Sequence, residues 1–420
     1  MLRPGRRAHT LPAAVLVAAW LPLSLAGPAS GQVYDFSEVT ALCEGAVDGE
    51  NVGSPVRGFD LLLMKNGEVV YHRAFGLWSL NRVANADSST KTLSGALIMS
   101  LVDNAPQPLT LDTRLSDYIP AFTGPKAAIT IRQAFSHTSG LRSSTAVSSQ
   151  TQTLRQAANT IAIPALQFDP PGSVFAYGGT SMHATGAVAE IVGQAPWNTL
   201  FQQRLAGPLG LTVTRYVLST PDNPRIAGGA ESNATEFGRF MEMLRRGGLA
   251  PDGTRLISEV NVDAMFTRQT AVGITIENTP VQTPYTDGAD YGVGVWLDER
   301  GPGGELLGAL AAGARGFASW IDFDDGMVGV FATDVSSSGD LQQLFYLLRT
   351  AAENAVRCGY DFNQDENVDL VDVQQMAQVF VGLINPEANW LDGDLNGDEN
   401  ADLTDAQILA AFVVTGQCGA

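Results

Sequence analysis

From the N-terminus, an apolar run spans Leu11 to Leu25 behind Arg3, Arg6 and Arg7, and ends in the small residues Ala26-Gly27-Pro28-Ala29-Ser30-Gly31. This three-part layout predicts a secretory signal peptide over residues 1–31, cleaved near Gly31 and Gln32, because the run is short for a membrane span. Phe59 to Met64 and Glu68 to Tyr71 flank Asn66-Gly67 and predict a hairpin, and Thr92 to Leu101 predicts a buried helix. Strand patterns return late, at Tyr291 to Leu297, Phe317 to Phe323 and Met327 to Thr333, with Gly326 marking a turn. Strands at both ends with helices between them predict an α+β domain over residues 33–356. Its terminal segments share one antiparallel sheet flanked by helices.

The last segment, 358–420, repeats itself. Asp361, Asn363, Asp365, Asn367, Asp369 and Asp372 recur in the same register as Asp394, Asn396, Asp398, Asn400, Asp402 and Asp405. Each set leads into a helical stripe, Met376, Val379 and Phe380 in the first and Leu409, Phe412 and Val413 in the second. Neither unit can bury its stripe alone. The two are predicted to pack face to face as a small all-α domain, with the segment around Pro386 and Trp390 between them. Oxygen-bearing side chains at loop positions 1, 3, 5, 9 and 12, with a backbone carbonyl at 7, form the layout by which an EF-hand gathers calcium ligands. Glu366 and Glu399 stand at position 6, where an EF-hand has Gly, and Asp replaces Glu at position 12.

Composition sharpens this division. The 420 residues are 45% hydrophobic and 16% charged, enough for a large domain and a small one and unlike a disordered chain. The net charge is −19, and the segment after Cys358 carries about a dozen acidic residues with no Lys or Arg. Nucleic acid and anionic membranes are thereby poor partners and none is expected, whereas a divalent cation suits it, and two Ca2+ sites are expected. Three cysteines remain in a chain expected to be secreted, periplasmic or extracellular. A Cys358–Cys418 disulfide would close the tail into a loop of about 60 residues and contribute about 4 kcal/mol. Three free thiols are the alternative, and Cys43 has no obvious partner.

The candidate chemistry lies at Ser88-Ser89-Thr90-Lys91, just ahead of the buried helix. Three residues apart on a helix, Ser88 and Lys91 share a face, and a desolvated lysine amine can take the proton that makes a serine hydroxyl nucleophilic. Leu109-Thr110-Leu111-Asp112, Leu115-Ser116-Asp117-Tyr118-Ile119-Pro120 and Ile129 to Leu141, which includes His137-Thr138-Ser139-Gly140-Leu141, follow in order. Then comes Phe168-Asp169-Pro170-Pro171-Gly172-Ser173-Val174-Phe175-Ala176-Tyr177-Gly178-Gly179.

Over roughly residues 55 to 340, this succession resembles the class C β-lactamase and D,D-peptidase family of penicillin-recognising serine hydrolases. The resemblance implies a β-lactamase/transpeptidase-like fold, an acyl-enzyme on Ser88, and Lys91 and Tyr177 as the groups that move its proton. It places substrate contacts at Gly179, Gly313 and Ala314, with an oxyanion hole made by backbone N–H groups, and beside them Arg315 reads either as a free cation for a substrate carboxylate or as a solvated surface side chain. Two departures stand out: Gly179 occupies a position that is Asn in many relatives, and Ala311-Ala312-Gly313-Ala314-Arg315-Gly316-Phe317 lacks the Lys or His of the third motif. They point toward the esterase and peptidase branch, acting on a small-molecule or peptide-like ester or amide, with a catalytically inactive binding protein as the alternative. His137 reads as part of a structural turn rather than as a Ser–His partner, and His72 and His183 as scaffold. No His or Cys cluster has zinc spacing, so no cofactor is expected for catalysis. The tail resembles a dockerin module along its whole length, which implies a cohesin-like or cell-surface partner.

Overall fold

The computed structural model describes residues 34–281, 287–335, 341–358, 370–380 and 402–415. The expected signal peptide, the loop ligands 361–369 and 394–400, Pro386, Trp390 and Cys418 lie outside the described residues, as does the side chain of Cys358. Cys43 is a buried free thiol.

One six-stranded antiparallel sheet organises the large domain. Its strands are β1 (Gly58–Lys65), β2 (Glu68–Gly76), β3 (Trp296–Arg300), β4 (Leu306–Ala312), β5 (Ala318–Asp322) and β6 (Met327–Ala332). They lie in the order β3-β4-β5-β6-β1-β2, so the two ends of the domain meet where β1 pairs with β6, Leu61 opposite Phe331 and Leu62 opposite Val330. The hairpin runs on to Gly76, beyond the predicted Tyr71. Tyr291 stays outside β3, joined to Trp296 by an isolated bridge and by an edge-to-face ring contact at 4.7 Å.

Both faces of the sheet are covered, which is why β1 reads as a continuous apolar run rather than as an alternation. On one face Phe59 stacks on Phe331 with ring centroids 4.3 Å apart, and Phe331 meets Phe345 of helix Gln342–Cys358. On the other, helix Ala234–Arg245 packs through Gly238. A Cβ there would come within 2.5 Å of Leu62 and 3.2 Å of Met64. Helix Gln342–Cys358 continues past the expected boundary at 356 and is pinned by buried Arg349, which pairs with Asp298 and Glu299 of β3 and with Glu353.

The predicted buried helix runs from Thr90 to Asp103, with every residue from Thr90 to Leu101 buried. It is walled in by other helices, including Thr180–Gly193, and by the backbone of residues 292–294. A Cβ on Gly95 would strike the Val293 carbonyl at 2.2 Å. In the tail, helices Leu370–Phe380 and Leu403–Thr415 pack on each other through Met376, Ala406 and Leu409, with Val373 and Phe380 against them. Asp372 and Asp405 are buried in their first turns.

Candidate active site

Ser88 sits in a single 3-10 turn, Asp87–Ser89, that feeds directly into the buried helix. The hydroxyls around it are anchored outward. Ser89 Oγ donates to the Phe317 carbonyl at 2.9 Å, Thr92 Oγ1 to the Gly294 carbonyl at 2.9 Å and Ser94 Oγ to the Ile226 carbonyl at 2.6 Å. Thr90 Oγ1 accepts the Ala230 N–H at 3.1 Å. A helix start so rich in Ser and Thr is therefore stapled to three neighbouring segments, and Ser88 is held still by its neighbours.

Lys91, only 3% exposed, has its Nζ held in two directions. Nζ donates to Ser88 Oγ at 3.0 Å and to the Ala227 carbonyl at 2.9 Å. The same nitrogen sits 4.6 Å from the centroid of the Tyr177 ring. That ring stacks on Trp296, centroids 5.5 Å apart and planes 18° apart, and His137 packs against it at 4.4 Å. Ser88, Lys91, Tyr177, Arg225, Ala227 and Ala314 line one cavity of about 250 Å³.

His137 is the wall behind the phenol. Burial, and then the charge of Lys91, hold its pKa well below the usual histidine value, so the ring is neutral. Its Nδ1 accepts the Gly178 N–H at 3.3 Å, and its backbone adopts φ +61°. His183, pushed down to about 4 by burial, bonds Asn223 Oδ1 through Nε2 at 2.8 Å. His72 Nε2 lies 3.0 Å from buried Asp60. None of these histidines hydrogen-bonds Ser88, whose side-chain partner among the described residues is Lys91.

The turn between β4 and β5 closes the other side. Ala314 lines the cavity, while Gly313 is hemmed in, since a Cβ there would lie 2.4 Å from the Ala86 carbonyl. Among the described residues, neither the Ser88 nor the Ala314 N–H is taken by a backbone carbonyl, so both remain available to an oxyanion. Arg315 corrects its expected role as a free cation for substrate. Its Nε and Nη2 each lie 2.9 Å from the Asp87 carboxylate, its N–H reaches the same group at 3.2 Å, and Nη1 is 3.4 Å from Asp334. Gly179 opens helix Thr180–Gly193. A Cβ there would approach Ala227 Cβ to 3.0 Å, so an Asn at this position requires Ala227 to give way.

Residues 50–353 match the family model described as Beta-lactamase. The chain belongs to the β-lactamase family. Among β-lactamase-family relatives, "Penicillin-binding protein 4" of Amycolatopsis lactamdurans is 29% identical over 237 residues, covering 49% of this chain and 61% of that protein. A D-aminopeptidase of Cereibacter sphaeroides is 26% identical over 174 residues, covering 38% of this chain and 33% of that one. The chain thus spans less than two thirds of the length of either relative. A candidate β-lactamase from Bacteroides dorei shares the fold with a TM-score of 0.67 at 24% identity, over 77% of this chain and 99% of its own.

Sequence reasoning missed three members of this β-lactamase-family site. Asp87 gave a faint signal as an acid immediately before the Ser88 tetrad. Trp296, the stacking partner of Tyr177, was placed in a strand with no role. The segment Arg225-Ile226-Ala227-Gly228, whose carbonyls receive Ser94 and Lys91, carries no periodicity or motif that would single it out.

Proposed function

We propose that this chain is an exported serine hydrolase that cleaves an ester or amide through an acyl-enzyme on Ser88. The observation that carries the reading is the 3.0 Å bond between Lys91 Nζ and Ser88 Oγ, with Nζ steadied by the Ala227 carbonyl. Ser88 Oγ attacks the acyl carbon and gives its proton to the Lys91 amine, while the carbonyl oxygen takes negative charge between the Ser88 and Ala314 N–H groups. The leaving group departs with a proton relayed through Lys91 and Tyr177. Water then attacks the acyl-enzyme, returns a proton to Ser88 and releases the acid. Relatives that include a D-aminopeptidase support an ester or amide donor.

A non-catalytic binding or assembly protein is the second reading, favoured by Gly179 and by the lack of a third-motif Lys or His in the segment Ala311 to Phe317. A fluorophosphonate probe separates the two. Labelling of the wild type that disappears in Ser88→Ala supports the hydrolase, and a folded protein that takes no label leaves the binding role.

For the tail, the proposal is a dockerin-type module with two Ca2+ sites, closed by a Cys358–Cys418 bond and docking on a cohesin-like or cell-surface partner. Supporting this are the repeat of the acidic loop positions and the burial of Asp372 and Asp405, the last of those positions, at the starts of two packed helices. Asp405 Oδ2 already accepts the Asp402 N–H at 2.7 Å, shaping the end of its loop.

A further inference from the structure

Among the described residues, three titratable side chains that carry Asp, Lys or Arg groups line the Ser88 cavity, Asp87, Lys91 and Arg225, and the first two have side-chain partners. The Asp87 carboxylate is clamped by Arg315, and Lys91 is shared between Ser88 and Ala227. Arg225 is exposed at the cavity, and its guanidinium makes no hydrogen bond or ion pair with any described residue, in a chain carrying 44 Asp and Glu against 25 Lys and Arg.

We propose that Arg225 anchors a carboxylate on the acyl donor, so that the preferred substrates of this site are anionic esters or amides. This inference rests on the serine-hydrolase reading above.

The guanidinium projects from a fixed frame. Arg225 N–H donates to the Leu218 carbonyl at 3.2 Å, and the Gly228 N–H closes a turn on the Arg225 carbonyl at 3.3 Å. Within that turn the Ile226 and Ala227 carbonyls receive Ser94 and Lys91 of the nucleophile helix. Only Ile226 therefore separates Arg225 from the residue whose carbonyl steadies the catalytic amine. The charge also reaches into the cavity, since it disfavours protonation of buried His183 in the same wall.

Electrostatics discriminate between donor classes. A donor with a free α-ammonium needs a carboxylate, and among the described residues the one carboxylate lining the cavity, Asp87, is already paired with Arg315. A donor with a carboxylate meets an open, planar guanidinium suited to bidentate binding. The cavity of about 250 Å³ suits a short dicarboxylic acyl group or a compact anionic leaving group.

The test compares three chromogenic esters on the full chain. They are neutral 4-nitrophenyl butyrate, 4-nitrophenyl hydrogen glutarate with the carboxylate on the acyl side, and 3-carboxy-4-nitrophenyl butyrate with it on the leaving group. In each, Ser88 Oγ bonds the acyl carbon, the phenol leaves with a proton, and water then frees the acid. The readout is the ratio of kcat/KM for each anionic ester to that for the neutral one. Arg225→Gln lowers this ratio about ten- to hundredfold for one anionic ester, and Arg225→Lys restores part of it. Arg57→Gln, which removes a cation away from the site, leaves the ratio at its wild-type value. The anionic ester that responds locates the carboxylate on the acyl or leaving-group side. Ratios unchanged in Arg225→Gln, or lowered as far in Arg57→Gln, overturn the inference while leaving the hydrolase standing. Failure to cleave any ester together with absence of Ser88 labelling overturns the hydrolase reading, and the inference with it.

Discussion

Arg315 closes a two-point grip on Asp87, Nε and Nη2 each 2.9 Å from the carboxylate, across 228 residues of sequence. Asp87 immediately precedes Ser88 and holds a left-handed backbone at φ +46°, a conformation disfavoured for a residue with a Cβ. The grip therefore joins the segments of Ser88 and Ala314, whose N–H groups are the proposed oxyanion donors.

Removing that grip is expected to harm the reaction more than the fold. Arg315→Met slows Ser88 acylation by at least about tenfold, since small displacements of a nucleophile are costly. Because the pair is partly exposed, its loss destabilises the domain by only about 1 kcal/mol. Stopped-flow labelling alongside thermal melting checks both, and an unchanged labelling rate would remove the positioning role.

Acid should weaken the fold through His183. Its folded pKa of about 4 lies below the ordinary 6.5, so the unfolded chain binds the proton first as pH falls. The stability it contributes is present above pH 6.5 and is lost progressively down to about pH 4, amounting to about 3 kcal/mol. His183→Gln, which keeps a donor toward Asn223 and does not titrate, should show a shallower decline over that window. Parallel denaturation curves at each pH would contradict the assignment.

Alkali should act through the opposite sign at Glu353. Burial, reinforced by Asp322 and Glu299 and opposed by Arg349, raises its pKa to about 8. A single guanidinium serves several carboxylates there, so Glu353 keeps its proton in the folded state. The unfolded chain releases that proton near pH 4.5, and stability accordingly falls as pH rises from there to about 8. In Glu353→Gln this fall flattens, and urea denaturation at pH 5, 6.5 and 8 measures the difference.

Calcium is expected to stabilise the tail. Titration calorimetry should show two sites, and the chelated protein should lose helical signal and melt at a lower temperature. Asp405→Ala should abolish one site. A flat calorimetric response would remove the dockerin reading.

Much of the site was legible because its chemistry is local. Ser88 and Lys91 announce themselves by helical spacing, and the apolar β1 and β6 segments by continuous burial. What escaped depends on contacts distant in sequence or on weak patterns. Strand β4, Leu-Leu-Gly-Ala-Leu-Ala-Ala, has no β-branched residue and no alternation, and takes its strand state from pairing with β5. The Asp87–Arg315 grip and the Arg225–Gly228 turn belong to segments whose meeting no periodicity encodes. Trp320 lying over Gly329 on the neighbouring strand is likewise a tertiary fact, with room for the indole only because residue 329 lacks a Cβ.

The central claim is that Lys91 makes Ser88 reactive, and intact-mass kinetics with a fluorophosphonate test it most directly. Wild-type protein should gain one adduct, mapped to Ser88, and Lys91→Met should form it about a hundredfold or more slowly while melting as a folded protein. An adduct that forms as fast without the Lys91 amine, or that survives in Ser88→Ala, would contradict the account.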